Sequence, residues 1–306
     1  MSFTAKDVQS LREKTGVGMM DCKKALTEAN GDMDKAVELL REKGLAAAEK
    51  KAGRIASEGL IACYYDGKAA AMVEVNSETD FVAKNADFQA FVQSVAETAA
   101  KSNPADLAAL MNATLAGSSD TVTEALREKI LTIGENLSVR RFYRAEGVIA
   151  TYIHGGGRIG VITEFEADDA VANTEAFAEL GKDISMQIAA MNPQYLSRDT
   201  VDPAVIESEK SILVAQIKND EKNKNKPDNI IEKMVIGRMG KFYENNCLLD
   251  QAFVKDSSFT VGKYVQEKAK ELGGKITVTG FVRFEKGEGL QKREDDFAAE
   301  VAGMVK

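Results

Sequence analysis

The sequence predicts an α+β fold, and an internal repeat is the first observation behind it. Glu58 to Pro104, EGLIACYYDGKAAAMVEVNSETDFVAKNADFQAFVQSVAETAAKSNP, resembles Glu146 to Pro193, EGVIATYIHGGGRIGVITEFEADDAVANTEAFAELGKDISMQIAAMNP. Each copy reads as an antiparallel hairpin followed by an amphipathic helix. The second observation is a jump in the spacing between copies. The offset is 88 at the opening Glu (146 − 58) and 89 at the closing proline (193 − 104), the extra residue falling at the glycine turn. It reaches 139 (260 − 121) where TVGKYVQEKAKELGGKITV from Thr260 matches TVTEALREKILTIGENLSV from Thr121. The growth of 50 (139 − 89) requires an inserted segment between Pro193 and Thr260 in the second copy. The third is a run of short, separable helical stretches ahead of the repeats.

Residues 1–46 are expected to form a three-helix bundle. Thr4 caps a first helix through Leu11 and Arg12, with Asp7 three places on. TGVG turns the chain, Met19 to Ala29 makes a second helix, Gly31 with Asp32 separates a third through Leu40, and Gly44 stops it. Residues 47–57 are read as a linker. Core subdomain N, residues 58–145, carries Phe88, Phe91, Val92, Val95, Ala96 and Ala99 at helical spacing, one stripe to lie on a sheet. It closes with the strand SVRRFYRAEG. Core subdomain C comprises residues 146–196 and 251–290 and closes with TVTGFVRFEKG. Inserted into it, residues 197–250 hold two helices, Ala204 to Asn219 and Asn229 to Asn245, on either side of KNKNKP. Val205, Ile212, Leu213 and Ile217 on one and Ile230, Ile231, Met234 and Met239 on the other predict an antiparallel helical hairpin. Residues 291–306 are expected to form a last short helix with Phe297 and Val301 on one face.

With 306 residues, 44% of them hydrophobic, the chain can bury a sizeable core in about two domains. No apolar run approaches the ~18 residues of a membrane span, and the first residues lack targeting features, so a cytoplasmic location is expected. Cys22, Cys63 and Cys247 are far apart without a CxxC pair, which excludes a disulfide framework or a zinc ribbon. A net charge of −8 argues against nucleic acid as the main ligand, and the basic stretch Arg41 to Arg54 reads as a solvated helix end.

Enzyme chemistry has little to work with. His154 is the single histidine, there is no GxSxG elbow, and GGGRIG leads into the strand-like VITEF where a dinucleotide fingerprint needs a helix. It is read as a hairpin turn. No phosphate-binding GxxxxGK[ST] loop occurs. Asp168, Asp169 and the acidic run Glu294 to Asp296 are read as helix-start residues, not as a metal site. No catalytic residue, cofactor or metal is therefore expected.

TGVGMMDCKKALTEANGD in a small bundle, a linker, TDFVAKN, HGGGRIGV, a helical hairpin and a closing FVRFEKGEG together resemble the elongation factor Ts family along essentially the whole chain. The resemblance implies a guanine-nucleotide exchange factor for elongation factor Tu, with a bundle like a ubiquitin-associated domain, a coiled-coil hairpin and a C-terminal helical module. It implies that the Asp80–Phe81 pair, flanked by Thr79 and Val82, enters between helices of the partner's nucleotide-binding domain and disturbs its magnesium and phosphate sites. Leu11, Met19 and Met20 match residues placed against a neighbouring helix of that domain, and Phe297 is expected near the same helix. His154, Gly156 and Arg158 match a turn facing the partner's third domain, although the tripled glycine departs from shorter turns in the family. No direct nucleotide, nucleic-acid or membrane binding is implied, and a homodimer or a 2:2 complex with the partner stays open.

The repeat weighs the wedge independently of the family. Asp80 aligns with Asp169 but Phe81 aligns with Ala170. Aspartate in both copies fits a helix cap, whereas a ring in one copy is not needed to build the fold. The competing role for Phe81 is a hydrophobic staple onto the next turn. Met19 and Met20, adjacent on a helix, are expected to divide between core and contact. Two rival functions are a ubiquitin-binding bundle on a scaffold and an enzyme using His154.

Overall fold

Residues 3–223 and 226–292 are described by the structure, a computed structural model. Helices and sheets are both abundant, as the α+β class requires. The bundle consists of α1 (Ala5–Thr15), α2 (Met19–Glu28) and α3 (Met33–Lys51). A capping box joins Thr4 and Asp7 at the start of α1. Gly44 does not stop α3, which runs on through much of the expected linker. The reason is packing: Gly44 lies against the Arg127 carbonyl of α7 (Val122–Ile133), Leu131 of α7 joins the bundle core, and Ala48 joins the neighbouring core. A long shared helix pair outweighs the weak helix propensity of one glycine.

The first repeat builds β1 (Glu58–Tyr65), β2 (Ala69–Ser77), the single turn α4 (Asp80–Ala83), α5 (Ala86–Ser102), α6 (Leu107–Asn112), α7 and β3 (Ser138–Glu146). The second builds β4 (Val148–His154), β5 (Ile159–Ala167), α8 (Asp169–Ala172), α9 (Glu175–Met191) and, after the insertion, a small hairpin β6 (Ala252–Phe253) and β7 (Asp256–Thr260), then α12 (Val261–Glu271) and β8 (Ile276–Glu285). Each sheet is antiparallel with the middle strand second in the chain, in the orders β1-β2-β3 and β4-β5-β8. Alternation divides the side chains of each sheet. Leu60, Ala62, Ala71 and Val73 face Phe88, Val92 and Val95 of α5, while Ile61, Ala70 and Met72 face Ile149 and Ile162 of the other sheet. The result is four layers, helix, sheet, sheet and helix.

The last strand of each sheet carries a bulge, β3 at Arg140 and β8 at Thr279, the middle-strand positions facing them being Glu74/Val75 and Glu164/Phe165. These positions differ by 90 (164 − 74), so within β5 the offset of 89 read from sequence is one residue short. The glycine turn thus adds two residues, and one is lost again before α8. Alternation with Ala70 and Met72 in β2, and with Ile162 in β5, points two carboxylates between the sheets. Glu164 accepts the Tyr143 hydroxyl at 2.5 Å. Glu74, fully buried, accepts from Arg140 (3.0 Å), Arg141 (2.6 Å), Asn76 (3.0 Å) and the Gly287 N–H (2.8 Å). Burial alone would raise its pKa, but those donors and the Arg141 charge outweigh burial and leave it lowered.

The insertion forms α10 (Pro203–Asn219) and α11 (Asp228–Asn246), the expected helical hairpin. Its seam is Leu213, Ile217, Ile231, Val235 and Met239, whereas Val205, Ile212 and Ile230, expected inside, are exposed. No helix among the described residues is long and apolar enough to cross a membrane.

Candidate functional site

The turn after β2 is shaped by what it buries. Val82 lies in the core beneath α4, and Asn85 caps α5 by accepting from Asp87 and Phe88 N–H (2.8 and 3.1 Å). With position 82 facing inward, the preceding side chain on this single turn faces outward, and Phe81 is 78% exposed. It is therefore not a staple. The Lys84 ammonium lies 5.7 Å from its ring centroid and 2.7 Å from the Asp80 carboxylate. That hydrogen bond, with the charges of Lys84 and Lys286, holds Asp80 below the usual carboxylate range.

Asp80 does not cap α4, contrary to expectation. Thr79 occupies the cap position, so Asp80 is already the first helical residue and its side chain turns to Lys84. The Thr79 hydroxyl is itself taken up by Glu135, to which it donates at 2.6 Å. Glu135 also accepts the Glu78 and Thr79 N–H groups, both at 3.0 Å. In return the Glu78 carboxylate accepts the Asn136 N–H at 2.6 Å and the Arg54 guanidinium at 3.4 Å. The second copy repeats the scaffold without the ring: Val171 is buried, Thr174 caps α9 through the Phe177 N–H (3.1 Å), and Ala170 is exposed. There Asp168 accepts the Lys275 N–H at 2.8 Å, so its carboxylate, too, serves a strand and not the helix start.

The bundle residues separate. Leu11 is 0% exposed, packed with Val8, Cys22, Leu26 and Leu40, so its side chain is core and cannot be a surface contact. Met19 (50% exposed) and Met20 (64% exposed) both face outward, which corrects the expectation that they divide. The buried stripe of α2 is Cys22, Ala25 and Leu26, and the methionines lie in the turn before it.

At the far end of β4, Gly155, Gly156 and Gly157 take φ of 59°, 64° and 95°, a turn that only glycines make without strain. Gly157 is also a spacer: its carbonyl accepts the Ile61 N–H at 2.8 Å, and a Cβ there would stand 2.8 Å from the Leu60 Cβ. Gly156 has open space around it. His154 and Arg158 are exposed; the Tyr152 hydroxyl lies 3.1 Å from His154 Nδ1, and Arg158 reaches Glu285 at 3.5 Å. The next residue, Lys286, pairs with Glu58 and lends its charge to Asp80. The segment after β8 thus links the glycine turn to the Phe81 turn, while Met19 and Met20 stand on the bundle. Phe297 lies outside the described residues. Glu135 was missed because a glutamate after a helix-ending glycine carries no pattern; only the repeat, which has Gly274 there, could have drawn attention to it.

Comparison with known proteins gives one family. The profile described as Elongation factor TS matches residues 78–288. Over 309 residues the chain is 51% identical to the elongation factor Ts of Clostridium kluyveri, covering 99% of each chain. It is 53% identical over 307 residues to that of Clostridium perfringens, again covering 99% of each, and 49% identical over 309 residues to that of Syntrophotalea carbinolica, covering 100% of each.

Proposed function

This chain belongs to the elongation factor Ts family and is a translation elongation factor, and on that premise we propose that it is a guanine-nucleotide exchange factor for elongation factor Tu. The observation that carries this reading is Phe81, a large apolar ring held in solvent on a turn whose neighbours Thr79 and Val82 are fixed. Such a ring is a binding anchor awaiting a pocket. It enters between helices of the partner's nucleotide-binding domain, with Asp80 beside it, and the displaced helices loosen the magnesium and phosphate sites. Met19 and Met20 supply a second contact from the bundle, which we read as like a ubiquitin-associated domain. His154, Gly156 and Arg158 supply a third, toward the partner's last domain, and Phe297 adds to the first through the C-terminal module.

In this reading the chain performs no covalent chemistry, takes no cofactor and acts in the cytoplasm, as a homodimer or within a 2:2 complex where it self-associates. Coupling between sites is reciprocal, so a factor that loosens GDP must be loosened equally by GDP. Exchange is accelerated and its endpoint unchanged. The test is release of fluorescent GDP from loaded elongation factor Tu. Catalytic amounts of this chain should accelerate release, and added GDP should dissociate the binary complex. A release rate independent of the chain would overturn the reading.

A further inference from the structure

We propose that Glu135 is a positioning residue for Phe81, a clamp that holds the ring's turn ready for the partner; this rests on the exchange reading above. Glu135, half-buried, takes three hydrogen bonds from the two residues just ahead of the ring's turn: Glu78 N–H (3.0 Å), Thr79 N–H (3.0 Å) and Thr79 hydroxyl (2.6 Å). Hydrogen bonds to a carboxylate are among the strongest a protein makes. They fix the entry to α4 and therefore the direction in which residue 81 leaves it.

The second repeat is the control. At the offset of 139 that relates the closing segments, position 135 corresponds to Gly274 (135 + 139). A Cβ at Gly274 would lie 2.5 Å from the Val171 Cγ2 and 3.0 Å from the Asp168 carboxylate, so that copy has no room for a side chain there. It closes its turn with two bonds between the same residues, the Lys275 N–H to the Asp168 carboxylate (2.8 Å) and the Asp168 N–H to the Lys275 carbonyl (3.3 Å). The first copy has the counterpart of the carboxylate bond, Glu78 to the Asn136 N–H (2.6 Å); there Glu135 takes the Glu78 N–H in place of a backbone carbonyl, and its two bonds from Thr79 come in addition. The fold thus forms this turn without a clamp. The clamp occurs in the copy that carries Phe81 and is missing where Ala170 replaces it. An anchor ordered before binding spares the complex the entropy of ordering it.

The experiment is a cycle of Glu135→Ala, Phe81→Ala and the double variant, read as the rate of stimulated GDP release from elongation factor Tu. If Glu135 acts through the ring, its removal slows release by roughly threefold or more. The loss cannot exceed that of Phe81→Ala, about ten- to fiftyfold. In the Phe81→Ala background the Glu135 substitution should change the rate by less than about twofold. Glu135→Gln, which keeps one accepting oxygen at the same reach, should recover part of the rate and guards against a misfolded alanine variant. Amide hydrogen exchange of the free chain should speed up at Glu78 and Thr79 in Glu135→Ala and stay unchanged in β2. A double variant slower than Phe81→Ala by the full single-variant factor would make Glu135 a general fold residue and overturn the clamp, as would a wild-type rate in Glu135→Ala. A wild-type chain that leaves release unchanged would overturn the exchange reading together with the clamp's role in it.

Discussion

Replacing Phe81 by alanine separates folding from binding, and the structure sets both magnitudes. An aromatic side chain has roughly 200 Å² of surface. With 78% exposed, only 22% (100 − 78) is covered in the free chain. That is about 45 Å², worth about 1 kcal/mol at ~25 cal/mol per Å². The Lys84 ammonium over the ring adds about 0.5 kcal/mol at an exposed site, and alanine's better helix propensity returns about as much. Phe81→Ala should therefore lower folding stability by about 1 kcal/mol. Phe88, 0% exposed in the same stretch, is the reference: its alanine variant should lose about 3 to 5 kcal/mol. On binding, the ring's remaining surface is worth about 1.2 to 2.3 kcal/mol, 0.78 of the ~1.5 to 3 for a full burial. GDP release should slow by about ten- to fiftyfold. Urea unfolding and release of fluorescent GDP measure the two quantities. A Phe81→Ala chain as unstable as Phe88→Ala, yet exchanging at the wild-type rate, would make the ring a core residue and refute the reasoning.

Glu74→Ala leaves Arg140 and Arg141 facing each other without their carboxylate between the sheets, and about 3 kcal/mol of stability should be lost, measured by urea unfolding. Because the pKa of Glu74 is lowered on folding, its contribution is present above the ordinary carboxylate value, roughly 4.3, and disappears as pH falls through the lower folded value. The wild type should therefore lose stability more steeply than Glu74→Ala below about pH 4, and equal slopes would remove Glu74 as a cause. Gly44→Ala should stabilise the chain by up to about 1 kcal/mol, since the position is helical and the new methyl meets the Arg127 carbonyl at ordinary contact distance; destabilisation would restore Gly44 as a helix stop. Replacing residues 200–245 by a short linker should leave one cooperative thermal transition, because the hairpin has its own seam and leaves from the Tyr195 and Cys247 bridge; loss of that transition would show that the core depends on it.

The repeat made the sheets, the long helices and the inserted hairpin legible, since each rests on a pattern of many residues. Single-residue signals did worse wherever a tertiary contact competed. Gly44 resembles a stop, but α7 offers a partner that keeps α3 helical to Lys51. Asp80 resembles a cap, but Thr79 reaches the cap position first and Lys84 takes the carboxylate. In the hairpin, periodicity reveals two apolar helices but not the full stripe they share: Leu213, Ile217, Ile231 and Met239 lie in the seam as expected, Val235 joins them, and Val205, Ile212 and Ile230 stay outside.

The binding residues divide along the same line. Phe81 was legible because two copies of one scaffold differ there, and a difference between copies reports what the scaffold does not need. Leu11, Met19 and Met20 have no second copy in the chain, and helical spacing alone cannot say which apolar side chain faces a neighbour helix and which faces a partner. In the structure Leu11 closes the bundle core while both methionines remain outside. The comparison that exposed Phe81 extends to Glu135, opposite Gly274, and to Glu74, whose counterpart is Glu164 once both extra residues of the glycine turn are counted. Glu74 and Glu164 recur because both sheets must close against each other. Phe81 and Glu135 do not recur, and their hydrogen-bonded turn lies at the surface, where differences between the copies can serve binding without disturbing the four layers beneath.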